Sequence, residues 1–255
     1  MKTLAQLGCL ARAAVYFLMG ILALLVAFGS SYGATTDQSG VLRRLVDQPY
    51  GPALLLGLAV GLFSYAIWRI LQSVQDHDLY GRGPKGFGIR IAFFMSGLFH
   101  AFLGFYALNL IFGFTKHTTL RERVMAHWVL LQPYGRVMLA TVGVAVVIGG
   151  TVQFVRAFNV SFLRDLRLPR RKARWMMAIC RFGITARGIV FIIIGSFFLN
   201  AAWTSRSREV GGLHRAWETL HQQIFGDLLL GVVALGFVSF GVFALIEGFY
   251  RKRIV

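Results

Sequence analysis

The sequence predicts an all-α polytopic membrane protein, with six transmembrane helices built as three tandem two-helix repeats and short interfacial helices in the external links. Three observations predict it. Hydrophobic residues make up 56% of the 255 and charged residues only 15%, an apolar excess over soluble proteins. Uncharged runs lie at 13–30, 52–68, 91–115, 137–155, 188–205 and 228–246. Each is long enough to cross a bilayer core as a helix, and none shows the alternation of a barrel strand. Finally, the pattern Gly-x-x-Ala-Arg-x-x-x-aromatic-x-x-x-Gly runs from Gly8 to Gly20 and returns from Gly183 to Gly195, which is the mark of an internal repeat.

The repeats span 8–76, 86–158 and 183–249 within one membrane domain covering 1–255, and 159–182 forms a basic link. A looser copy of the pattern opens the middle repeat at Gly86, with Arg90 in the place of Arg12 and Arg187 and with Gly97 one residue early. The second helix of each repeat is entered through Gln48-Pro49-Tyr50-Gly51, Gln132-Pro133-Tyr134-Gly135 and Gln223-Ile224-Phe225-Gly226. Gly8 precedes Gly51 by the same interval that separates Gly183 from Gly226, whereas Gly86 to Gly135 is longer. The middle repeat is therefore expected to carry its extra residues in the external link. A proline in or before the first turn of a helix sacrifices no amide partner.

Each external link has its own three-and-four spacing of apolar residues: Val41, Leu42, Leu45 and Val46; Val124, Met125, Trp128 and Val129; Leu213, Trp217, Leu220 and Ile224. This pattern predicts three short amphipathic helices that lie on the membrane surface and cap the helix pairs.

The net charge of +17 sits in the links rather than on a polar domain face, which argues against nucleic acid and for topology. Of the 27 Lys and Arg residues, two thirds fall on the side of the termini, so both termini are expected in the cytoplasm. A bacterial cytoplasmic membrane is the expected location. The segment 156–187 holds nine arginines and lysines against one acid, Asp165, and its expected partner is anionic lipid headgroups. A membrane-protein partner or a second copy of the chain is a further expectation. Cys9 and Cys180 open helices on the cytoplasmic side, where thiols stay reduced, so no disulfide is expected. Helix 1 resembles a signal sequence, but its duplication as helix 5 argues that it is retained. Asp76, His77 and Asp78 diverge along the chain and lack a further ligand nearby, so no metal or other cofactor is expected.

With its repeats and the Ala186-Arg187-Gly188 motif, matched partly by Ala11-Arg12-Ala13 and by Arg90 alone in Ile89-Arg90-Ile91, the chain resembles the bacterial membrane-protein family called domain of unknown function 1206. That resemblance implies three tandem two-helix units in a membrane and no assigned activity.

Two groups of polar residues are candidates for function. Arg12, Arg90 and Arg187, at one position of the unit, are expected at the cytoplasmic rim of a pseudo-threefold bundle. There they either snorkel to headgroups or form a ring for a phosphate or carboxylate, with Glu247 as the acid for Arg187. His100 and Asn109 lie within the third span, where a polar group marks a pathway or a hydrogen bond between helices. No span holds a catalytic triad or a mid-depth carboxylate. The expectation is accordingly a non-catalytic membrane subunit or lipid-binding protein, and the alternative is a small-molecule or ion transporter or channel. The topology is checked by fusing reporters after Val255: a cytoplasmic reporter is expected to be active there, and a periplasmic one silent.

Overall fold

The computed structural model describes residues 2–75, 83–113, 127–169, 173–206, 210 and 213–251. The candidates Asp76, His77 and Asp78, and Val124 and Met125 of the second external link, lie outside these residues. Six long helices form: α1 (Lys2–Ala27), α3 (Gly51–Gln75), α4 (Pro84–Ile111), α5 (Gly135–Phe158), α6 (Ala173–Thr204) and α8 (Gly226–Tyr250). All six are long and apolar enough to cross a membrane, and their backbone groups are satisfied internally. Among the described residues there is no strand, only a single bridge pairing Leu166 with Arg251.

Two of the expected surface helices are present, α2 (Gln38–Val46) and α7 (Leu213–His221), and 127–130 are helical in the second link. The Asp37 carboxylate caps α2 by accepting from the Gly40 amide at 2.7 Å. Val41, Leu42 and Trp217 are buried, so α2 and α7 close one end of the helix pairs. The turn into each second helix is the same three times: the amides of Gly51, Gly135 and Gly226 donate to the carbonyls of Gln48, Gln132 and Gln223 at 2.8, 3.0 and 2.8 Å.

The long helices pack in the order α4, α3, α1, α8, α6, α5. Each even-numbered span packs closely on the odd span of the next repeat, namely α3 on α4, α5 on α6, and α8 on α1. The row curls, because Arg187 of α6 reaches Tyr16 of α1 with its guanidinium carbon 5.6 Å from the ring centroid. The within-repeat pairs α1 with α3 and α6 with α8 also form, but among the described residues no packed interface joins α4 to α5. The middle repeat is split across the two ends of an open arc.

Small residues set the three between-repeat interfaces. A Cβ on Gly188 would stand 2.9 Å from the Gly150 carbonyl, one on Gly241 would stand 3.2 Å from the Ala13 carbonyl, and one on Gly97 would stand 3.1 Å from the Ala66 carbonyl. One turn pair further on, Gly20 meets Val238, Gly104 meets Phe63 and Gly195 meets Val147. These contacts equate Ala13, Gly97 and Gly188, and likewise Gly20, Gly104 and Gly195. The residue matching Arg12 and Arg187 is therefore Ser96, and the expected equivalence of Arg90 is corrected. The extra residues of the middle unit lie at the start of α4 and not in its external link.

Leucine at Gly150 or Gly188 would overpack the α5–α6 crossing and is expected to lower stability by about 1–3 kcal/mol. Gly57, whose added Cβ would meet nothing within 4 Å, is expected to accept leucine without loss. Thermal unfolding in detergent checks both.

Candidate functional site

At the end of the bundle that carries both termini, guanidinium groups and aromatic rings alternate. The Arg187 guanidinium carbon lies 4.7 Å from the Phe240 centroid, and Arg12 lies 5.2 Å from the same ring. Arg12 and Arg69 each lie 5.0 Å from the Tyr65 centroid. Arg69 and Arg251 each lie 4.7 Å from Trp68. The sequence of groups is thus Arg187, Phe240, Arg12, Tyr65, Arg69, Trp68, Arg251, drawn from α6, α8, α1 and α3 together with the segment that follows α8. Ring faces attract these cations more strongly where water is excluded.

One carboxylate serves this row. Glu247, buried near the end of α8, accepts from Arg12 at 2.9 Å and from Arg251 at 3.2 Å, and stands 3.6 Å from Arg69. The Tyr65 hydroxyl accepts from Arg12 and, at 2.8 Å, from Arg69. Arg69 also donates to Gln72 Oε1 at 3.1 Å. The small residues that bring helix backbones together position the arginines. Ala11 packs on Gly61 of α3, and Ala186 packs on Gly236 of α8. With Gly188 on α5, the Ala-Arg-Gly triplet touches a helix on either side of Arg187, which explains the motif physically.

Arg187 differs from Arg12. Its NH1 donates to Gln153 of α5 at 3.1 Å, and its guanidinium lies 4.6 Å from the Phe191 ring as well as against Phe240 and Tyr16. The Nε atoms of Arg12 and Arg187 are buried without a hydrogen-bond partner. The expected Glu247–Arg187 ion pair does not form, because Glu247 faces α1 and is taken by Arg12. Counting from Gly226 and Gly135, the α5 residue equivalent to Glu247 is Arg156, so the helix position that carries the acid in α8 carries a cation in α5, itself within electrostatic reach of Glu247.

The other candidates separate. Arg90 lies on the end of α3, donating from Nε to the Ser73 carbonyl at 2.6 Å and from NH2 to the Val74 carbonyl at 3.1 Å, outside the row of rings. His100 is buried, with Nδ1 2.7 Å from the Ser96 carbonyl and its ring centroid 4.4 Å from that of Tyr65. A carbonyl only accepts, so Nδ1 carries the proton in this contact. Asn109 is exposed, and at nine positions beyond His100 it falls on the opposite face of α4, at about 100° per residue. The two do not line a common path. Among the described residues no group of three or more His, Cys, Asp or Glu is placed to hold a metal ion.

The basic link also differs from a purely lipid-facing segment. Phe162, Leu166 and Met176 are buried in the bundle end, and the Arg167 amide donates to the Tyr250 carbonyl at 2.7 Å. Sequence reasoning missed Tyr65, Trp68, Phe240, Gln153 and the ring contact of Arg251. A signal for two of them was present, since Tyr65 and Phe240 follow Gly51 and Gly226 by the same interval.

Removing the carboxylate would leave Arg12, Arg69 and Arg251 facing one another. Glu247→Gln is expected to cost about 3–5 kcal/mol of stability, the usual penalty for breaking a buried pair from one side. Glu247→Gln with Arg12→Met is expected to recover part of that loss in the same unfolding measurement.

Comparison with known proteins gives the family. Residues 7–76, 91–159 and 182–251 each match the family described as Domain of Unknown Function (DUF1206). The chain belongs to this family. The middle match begins at residue 91, in keeping with the register that Gly97 and Gly104 set by packing. The chain is similar to a protein of Bacillus subtilis (strain 168) named Uncharacterized protein YxxB, 31% identical over 254 residues, covering 98% of this chain and 91% of that one. No solved structure matches.

Proposed function

We propose that the protein is a non-catalytic, lipid-binding protein of the bacterial cytoplasmic membrane, with both termini cytoplasmic, and that Arg187 holds the phosphate group of an anionic lipid. The observation that carries this reading is the charge reversal between two equivalent places. Arg12 faces Glu247 at 2.9 Å, whereas Arg187 faces neutral Gln153 at 3.1 Å, with Arg156 in the position equivalent to Glu247. A guanidinium inside a span is costly without a counter-charge. Its planar fork suits the oxygens of a phosphate. The rings of Tyr16, Phe191 and Phe240 support the cation but bring no negative charge, and its Nε has no hydrogen-bond partner. The basic segment 156–187 adds an electrostatic attraction to anionic headgroups of about 1 kcal/mol per cation.

The test is native mass spectrometry of protein purified in mild detergent, with an anion-flux assay in liposomes. Wild type is expected to retain anionic phospholipid and to conduct no anion. Arg187→Ala is expected to lose the lipid while remaining folded in detergent, and Arg187→Lys to keep part of it. Excess inorganic phosphate separates the two sources of the group: a free-phosphate site would be competed, and a lipid site would not. Equal retention by Arg187→Ala overturns the reading, and Arg187-dependent flux replaces it with transport.

A further inference from the structure

We infer that the gap between α4 and α5 is a lateral opening occupied by an acyl chain of the anionic lipid whose phosphate rests on Arg187. This rests on the lipid-binding reading above and adds the place of the chain and its route of entry. In the first and third repeats the two helices meet through the same contacts. Ala11 lies over Gly61, and Ala186 over Gly236, while Gly8 lies against the Tyr65 backbone and Gly183 against that of Phe240.

The packing register puts Ala92, Met95, Ala145 and Gly149 at these positions in the middle repeat. Methionine replaces alanine on one side of the crossing, and alanine replaces glycine on the other. Both changes enlarge what must fit where two backbones approach. The outcome is visible at each position: Met95 is 57% exposed, Ala92 and Ala145 are exposed, and a Cβ on Gly149 would meet nothing within 4 Å.

By the packing register the walls of the gap are apolar, with Met95 and Phe99 on α4 and Ala145, Ile148 and Val152 on α5, all of them exposed. Helical hydrogen bonding leaves these walls no backbone donors to offer a polar occupant. Gln153 stands one turn beyond Gly149 on the same helix and is hydrogen-bonded to Arg187. An apolar slot ending at a cation complements an amphiphile with an anionic head. A second copy of this chain fits less well, since Glu247, buried within α8, is already taken by Arg12 and Arg251.

The test uses phosphatidylcholine vesicles containing phosphatidylglycerol with a photoactivatable diazirine in its acyl chain, followed by peptide mapping. Cross-links are expected to concentrate around Met95, Ala145 and Gly149, in excess of those at the outward-facing Phe105. Gly149→Leu, at a position where a Cβ meets nothing within 4 Å, is expected to reduce labelling there about tenfold at unchanged melting temperature, and Arg187→Ala to reduce it as much while the protein stays folded. Labelling spread evenly over outward faces, or unaltered by Gly149→Leu, overturns the opening. Where native mass spectrometry still finds Arg187-dependent lipid, the lipid-binding reading survives that failure. Where Arg187→Ala alters neither lipid retention nor labelling, both readings fall. Dimers trapped between Met95→Cys and Ala145→Cys on separate copies would assign the gap to self-association instead.

Discussion

The terminal end of this bundle depends on one carboxylate. Glu247 is the shared counter-ion of Arg12, Arg69 and Arg251, which arrive from α1, α3 and the segment that follows α8. Three guanidinium groups brought together would repel, and desolvation would make the cost larger than in water. Glu247, the Tyr65 hydroxyl and the interleaved rings offset that cost at once. The geometry also locks registers, because sliding α8 by a turn against α1 would move Glu247 by about 5 Å and strand Arg12 against Phe240 and Tyr65 alone.

Such a network can form only where backbones come close enough for short side-chain paths, and the small residues provide that approach. Gly188 against Gly150 and Ala186 against Gly236 bring α6 to its neighbours on both sides. Between them, Arg187 is directed toward the rings of Tyr16, Phe191 and Phe240. In lipid no hydrophobic force drives helices together, so this close packing and the polar contacts it permits supply the association. The motif is at once a packing device and a means of placing a cation.

Much of the fold was legible because its signals are strong and local. Apolar runs gave the six spans, and the recurrent glycine turns placed the second helix of each repeat. The middle register was harder to read. Arg90 follows Gly86 as Arg12 follows Gly8, and that likeness outweighed Gly97 and Gly104, whose meaning is a contact with another helix. Gly20, Gly104 and Gly195 nevertheless stand at one interval before Gly51, Gly135 and Gly226, so the correct register was encoded in spacing. The site was legible only in its charges. Arg12, Arg187 and Glu247 stood out as ions in an apolar chain, but Tyr65, Trp68 and Phe240 looked like any aromatic residue in a membrane helix. Which arginine takes the acid depends on which helix α8 faces, and composition carries no such information.

The split of the middle repeat follows from the same chemistry that unites the other two. Repeats one and three keep an arginine on the odd helix, an aromatic residue on the even helix and a small pair at their crossing. The middle repeat has Ser96, Gly149 and the larger pair Met95 and Ala145 at these positions. It therefore lacks both the cation–ring contact and the close approach that hold the other pairs. Its two helices are retained through their between-repeat partners instead, α4 by α3 and α5 by α6. The loss of side chains from the middle unit and the surplus cation on its neighbour fall on the same side of the arc. An exact threefold sequence would have closed the ring and given Arg187 its own acid in place of Arg156. Departure from the repeat at these few positions leaves α4 and α5 unpacked against each other and gives Arg187 a neutral glutamine as its hydrogen-bond partner.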